Sequence, residues 1–322
     1  MLFLALQLFN VEKLTSPLPF SMPSKKNTYI GIGLAVLAAI IWSGNFIAAR
    51  GVIRQIPPVS LAFYRWSTAA AIIFPFTVKQ FRSEWKVVKR SWHYLFWASL
   101  TGITLFNTFV YIGAHYTSAI NLALIGTTTS PIIAIVLANF FLKEKIGRLK
   151  MAGMILCITG VIFLLSHGSI QYLLSFHFTK GDGWILLAAL CFAIYNTLVR
   201  KKPKGISPVN YLFVIFSFGT LLLFPFYLWE VAHTSPVKWS SDLLFIILYL
   251  GLGASVICFL CWNIAIDKLG AGRTALFGNL IPVFSSAEAA ILLGEQFTWV
   301  HLLSMLLVFL GILLANWRIF RG

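Results

Sequence analysis

Acidic residues are scarce in this chain: nine Asp and Glu stand against 25 Lys and Arg in 322 residues. Charge of either sign is scarce, at 11% of residues, where a soluble globular domain carries about 25%. That leaves too little polar surface to face water and excludes an ordinary soluble fold. There is no HExxH, no GxSxG, no P-loop and no pair of aspartates within an apolar run. Those absences exclude the common zinc-peptidase, serine-hydrolase and ATP-driven chemistries. The chain is therefore expected to be no enzyme and to hold no cofactor and no metal. Cysteine is scarce as well. Cys157, Cys191, Cys258 and Cys261 all lie in apolar runs, where they read as small packing residues rather than a redox or zinc site.

What is present is apolar. Hydrophobic residues make up 59% of the chain, and the mean hydropathy is +0.87. Lipid must be the main solvent, and a spanning helix needs about 20 apolar residues. Ten runs meet that need: 29–49, 58–78, 94–113, 118–142, 149–167, 181–199, 208–229, 243–265, 273–294 and 299–317. The net charge of +16 is a topology signal, since aromatic-interleaved basic patches of the nucleic-acid kind are absent. With the N-terminus inside, 20 of the 25 Lys and Arg fall on the cytoplasmic side and four outside; Arg65 lies within a run. Both termini are expected in the cytoplasm of a multi-pass inner-membrane protein. Residues 1–28 form a tail with no basic start and no cleavage signal, and translation is expected to begin at Met22.

The sequence repeats itself. At a shift of 150, Gly31, Gly33 and Arg50 return as Gly181, Gly183 and Arg200, and Phe74-Pro75-Phe76 returns as Phe224-Pro225-Phe226. From the third run the shift is 151: Gly102 matches Gly253, Pro131 matches Pro282, Glu144 matches Glu295 and Gly160 matches Gly311. Each copy holds five runs, an odd number, so the second copy lies inverted relative to the first. The fold class is an all-α membrane protein of about ten transmembrane helices in two inverted five-helix repeats. The repeats occupy 31–166 and 181–317, with a linker at 167–180 and a basic tail at 318–322. Inverted repeats are a recurring construction of secondary transporters, with the substrate site between the copies.

Certain residues carry a family resemblance. The first copy has Trp42-Ser43-x-Asn45-Phe46, Pro57-Pro58, Tyr64-Arg65-Trp66, Tyr116-Thr117-Ser118-Ala119, Ser130-Pro131 and Leu142-x-Glu144. The second has Leu269-Gly270-Ala271-Gly272-Arg273, Ile281-Pro282-Val283-Phe284 and Leu293-Gly294-Glu295. Each half resembles an EamA domain of the drug/metabolite transporter superfamily. The resemblance implies a ten-helix transporter with a central cavity between the halves, often exporting amino acids or other metabolites. Tyr195 departs from the pattern where the first half has Asn45.

Several residues are candidates for the path. Pro131 and Pro282 remove a helical N–H and free the carbonyls of Thr127 and Gly278, beside polar Thr128 and Asn279. Trp42 and Asn45 share a helical face, and Asn107, Asn196 and Trp262 add polar groups within the runs. Cross-helix packing is the plain alternative for the asparagines. Glu288 and Arg65 are the ionisable pair inside the membrane, each roughly 10 Å below the outer surface at 1.5 Å per residue. Glu288 is read either as a site for substrate or a proton, or as a locked structural carboxylate; Arg65 is read as structural. Glu144 and Glu295 end matched runs and read as a repeated structural device at the boundary. Such a chain has a small-molecule substrate and the bilayer as partners, and no nucleic acid. A homodimer is compatible with it. A secondary exporter is the leading function, and a flippase for lipids or lipid-linked substrates is the alternative.

Overall fold

The computed structural model describes residues 25–52, 55–116, 119–143, 147–174, 179–293 and 298–321. The N-terminal tail with Met22, and Glu144 and Glu295, lie outside the described residues. Those described are helical or in short connections, with no strand among them.

The helices are α1 (Lys25–Val52), α2 (Pro58–Ile73), α3 (Val78–Arg90), α4 (Trp92–Ser99), α5 (Phe106–Tyr116), α6 (Ala119–Leu142), α7 (Arg148–Leu165) and a short α8 (Ile170–Leu174). The second half holds α9 (Lys180–Arg200), α10 (Pro208–His233), α11 (Ser241–Leu248), α12 (Cys258–Leu269), α13 (Ala271–Leu276), α14 (Leu280–Leu293) and α15 (Trp299–Arg321). Two π-helical segments weld neighbours into single rods: Leu100–Leu105 joins α4 to α5, and Tyr249–Ile257 joins α11 to α12. Among the described residues, eight helical stretches are long and apolar enough to cross a membrane. The two remaining runs hold the matched prolines. Pro131 sits inside α6, whose apolar described stretch is Thr129–Leu142; near Pro282 the chain breaks into α13, a 3-10 turn at Phe277–Asn279, and α14.

Helix starts follow local chemistry. Pro58 and Pro208 open α2 and α10, where a missing N–H costs nothing. Asp182 in the first turn of α9 accepts from the Thr179 amide at 2.6 Å. Gly270, at φ 91°, ends α12 in a conformation other residues rarely adopt. The starts of α2 and α10 each meet a carboxylate from the opposite repeat. Glu230 of α10 accepts from the Val59 and Ser60 amides at 3.1 and 2.6 Å, and from Ser60 Oγ at 2.8 Å. Glu84 of α3 accepts from the Ser207 amide at 3.0 Å and from Asn210 Nδ2 at 2.6 Å. Negative charge at a helix N-terminus complements the helix dipole.

The two repeats interlock rather than sit side by side. α1 packs on α12 and α14, and its counterpart α9 packs on α5 and α6; α2 packs on α10, and α7 on α15. The repeat glycines explain one of these crossings. A Cβ on Gly311 would lie 2.6 Å from the Gly153 carbonyl, and one on Gly160 would lie 3.0 Å from the Ser304 carbonyl. Those two contacts are each other's counterparts at the 151-residue shift, so small residues there let the backbones of α7 and α15 touch.

One segment differs from the sequence reading. Residues 79–90, which the sequence leaves between the second and third apolar runs, form helix α3. Val78, Phe81, Trp85 and Val88 make a heptad-spaced apolar stripe. Phe81 meets Phe213 at 5.5 Å and Val88 is buried, while Lys and Arg take the other face. The stripe was there to read, but charge counting alone treats the segment as a loop.

Candidate functional site

Between the repeats lies a cavity of about 870 Å³, its open mouth included. Its lining, apolar with a few convergent polar groups, is of the kind that holds a small organic ligand. Trp42, Asn45, Arg65, Asn107 and Pro131 of the first repeat and Asn196 and Trp262 of the second line it. Those are seven of the residues singled out in the sequence. Asn279, Pro282 and Glu288 are not on its wall, although Gly278, whose carbonyl Pro282 frees, is. The side chains of Thr127 and Thr128 lie outside the described set.

Aromatic rings build the apolar part of the wall. Trp42 meets Trp262 at 5.0 Å and Phe192 at 5.9 Å, and Phe106 stacks on Phe192 at 4.5 Å. Trp42 and Phe192 are repeat counterparts, so this contact joins equivalent positions of the two copies. Phe106 and Phe192 escaped the sequence reading because nothing separates them from the other phenylalanines among 29.

The polar part centres on Arg65, which is 1% exposed. Its Nε donates to Ser255 Oγ at 2.7 Å, and its Nη2 to the Ala254 carbonyl at 3.0 Å. Its Nη1 donates to Asn45 Oδ1 at 3.1 Å, Asn107 Oδ1 at 2.9 Å and Tyr111 OH at 2.9 Å. Every partner is neutral. Glu288, at the matching depth, is not one of them. The local fold explains the grip. A π-helical turn displaces carbonyls from the ordinary i→i+4 ladder, and such turns gather at functional sites. Ala254 and Ser255 lie in the π segment Tyr249–Ile257, and the Ala254 carbonyl also accepts from Trp42 Nε1 at 2.8 Å. No sequence signal marks a π turn, so Ala254 and Ser255 were missed. Arg65, read as structural, is both held in place and on the cavity wall.

Across the cavity, Trp262 Nε1 donates to Asn196 Oδ1 at 2.9 Å, and Tyr195 OH to Asn263 Oδ1 at 2.9 Å. Glu288 is hydrogen-bonded to Ser43, next to Trp42 in the chain, and does not line the cavity. Ser43 Oγ donates to its Oε1 at 2.6 Å and also lies within bonding reach of the Ile40 carbonyl. One hydroxyl hydrogen cannot serve two acceptors fully. No cluster of His, Cys, Asp or Glu that could hold a metal occurs among the described residues.

Comparison with known proteins agrees with this architecture. The model of the EamA-like transporter family matches the chain twice, over residues 29–166 and 179–317. An uncharacterized transporter of Archaeoglobus fulgidus is 26% identical over 263 residues, covering 82% of this chain and 89% of its own. The uncharacterized transporter YyaM of Bacillus subtilis is 28% identical over 298 residues, covering 89% and 94%. A probable amino-acid metabolite efflux pump of Escherichia coli is 23% identical over 300 residues, covering 88% and 95%. One crystal structure aligns with 92% of this chain and 98% of its own, at TM-score 0.71 and 17% identity, a likeness of fold.

Proposed function

The chain belongs to the EamA-like transporter family and is a multi-pass membrane protein, and on that premise we propose that it is a secondary exporter of small metabolites, amino acids among them. The cavity between the repeats is the substrate site, in the inner membrane with both termini cytoplasmic. The observation that carries this reading is that one cavity is walled by side chains of both repeats. Rocking one copy against the other then opens the same site to either side. Glu288 holds the coupling proton: when protonated it donates to Ser43, which donates on to the Ile40 carbonyl, and the clash of two acceptors on one hydroxyl disappears.

The test is counterflow in proteoliposomes with labelled amino acids, organic acids and lipid probes. At Gly278, on the wall, an added Cβ meets nothing within 4 Å, so Gly278→Phe fills the cavity without a first-contact clash. Exchange of a soluble substrate should vanish in Gly278→Phe while folding is retained. Glu288→Gln should keep exchange but lose accumulation driven by a pH gradient. Exchange untouched by Gly278→Phe would remove the cavity as the path, and movement of lipid probes alone would favour a flippase.

A further inference from the structure

The buried side-chain atoms left wholly without a partner at the cavity wall are all donors. Three asparagines line it, and each turns its oxygen toward a group that can only donate: Asn45 and Asn107 to Arg65, Asn196 to the Trp262 indole. Guanidinium and indole nitrogens cannot accept, so these amide orientations are chemically forced rather than a choice between O and N. The amide NH2 groups are what remain. Asn107 Nδ2 and Asn196 Nδ2 are buried with no partner, in residues 3% and 1% exposed. Asn45 Nδ2 donates to nothing among the described residues. Arg65 has five N–H donors, two of them on Nη2, and Nη2 has a single acceptor, the Ala254 carbonyl. One further hydrogen of a buried cation is therefore unused.

Buried donors without partners are costly, and a buried charge with only neutral partners is costlier. Both are kept beside a cavity whose lining includes one cation and no carboxylate. The acceptors among the lining side chains, the three asparagine oxygens and the Ser130 hydroxyl, carry no net charge. We infer that the cavity recognises an organic monoanion, a carboxylate on an apolar or aromatic body. Arg65 is its counter-charge, the amides of Asn45, Asn107 and Asn196 are its donors, and the Trp42–Phe192–Trp262 wall covers its body. This rests on the cavity being the transport site and names the substrate class for it. A substrate ammonium would face Arg65 with no acid to answer it. A zwitterionic amino acid therefore fits less well than the same molecule without its amine.

The probes are four molecules of one shape: 3-phenylpropanoate, phenylalanine, 3-phenylpropanamide and 2-phenylethylamine. Binding to the purified chain in nanodiscs is measured by calorimetry. The anion should bind about tenfold or more tighter than phenylalanine and the amide, in line with charge-assisted bonds outweighing neutral ones, and the amine should not bind. Two variants test the donors while keeping every existing bond. Asn107→Asp retains the oxygen that Arg65 uses but neutralises its charge, and Asn196→Asp retains the acceptor for Trp262 but adds a negative charge to the wall. Each should weaken the anion about tenfold or more. Tightest binding by phenylalanine, the amide or the amine, no binding by any of the four, or an unchanged anion affinity in both variants overturns the inference. Counterflow of another substrate that still vanishes in Gly278→Phe would leave the transport reading standing while this one falls.

Discussion

At the cavity the two repeats share a backbone and differ in chemistry. In the first, Asn45, Arg65, Asn107 and Tyr111 form one charged network. Their counterparts are Tyr195, Ile215, Cys258 and Trp262, which pack with Phe259 and Phe216 into the apolar core. The π segments tell the same story. Both copies have one at the same place, but Ala254 and Ser255 grip Arg65, while their counterparts Ile103 and Thr104 press on Gly219. Inversion requires only that the two halves trade positions as shapes. Side-chain chemistry is free to become one-sided, and here the charge on the cavity wall, Arg65, lies in the first half.

Making the halves alike is the sharpest way to break that difference. Arg65→Leu imitates Ile215 and leaves at least three buried acceptors without a donor. It should cost about 3 kcal/mol or more of stability, seen as a lower unfolding temperature in detergent, and should abolish exchange. A variant as stable as the parent would show that the network is not holding the arginine.

The end caps are a feature the halves do share. Glu230→Ala and Glu84→Ala each strip the carboxylate from a helix start. Each should cost about 1–2 kcal/mol, with Glu230 the larger because it is buried. Thermal unfolding of the two variants side by side checks this, and a negligible loss for Glu230→Ala would contradict the geometry.

The matched prolines offer the smallest effect and the finest distinction. Pro131→Ala restores a hydrogen bond within the already continuous α6 and should change stability by about 1 kcal/mol or less. Pro282→Ala allows α13 and α14 to fuse across Phe277–Asn279, changing the wall at Gly278. It should alter the exchange rate more than the stability. Equal kinetic effects of the two would mean that the break has no part in the path.

Much of this was legible in the chain. Ten apolar runs, a register of Pro, Gly and Glu, and an odd number of runs per copy lead to two inverted five-helix repeats. Seven candidate residues meet at one cavity because polar groups are rare in lipid-embedded helices, so nearly any of them is informative. Arg65 was undervalued for the converse reason: its partners come from three different helical segments, far apart in sequence. Glu288 was overvalued as a cavity residue, since depth along a helix says nothing about which way the residue faces. The Phe-Pro-Phe motif shows the same limit. It makes a 3-10 turn at Phe74–Phe76, yet Pro225 lies inside the continuous α10.

By itself the sequence determined the solvent, the number of runs, the repeat and the class of protein, because apolar length and breaker spacing are local properties. Tertiary structure decided which polar groups meet, where the π turns free their carbonyls, and which hydrogen-bonding groups are left over at the cavity. Those depend on helices crossing at close range, and the distance between crossing helices is set by packing across the repeats rather than by any one segment.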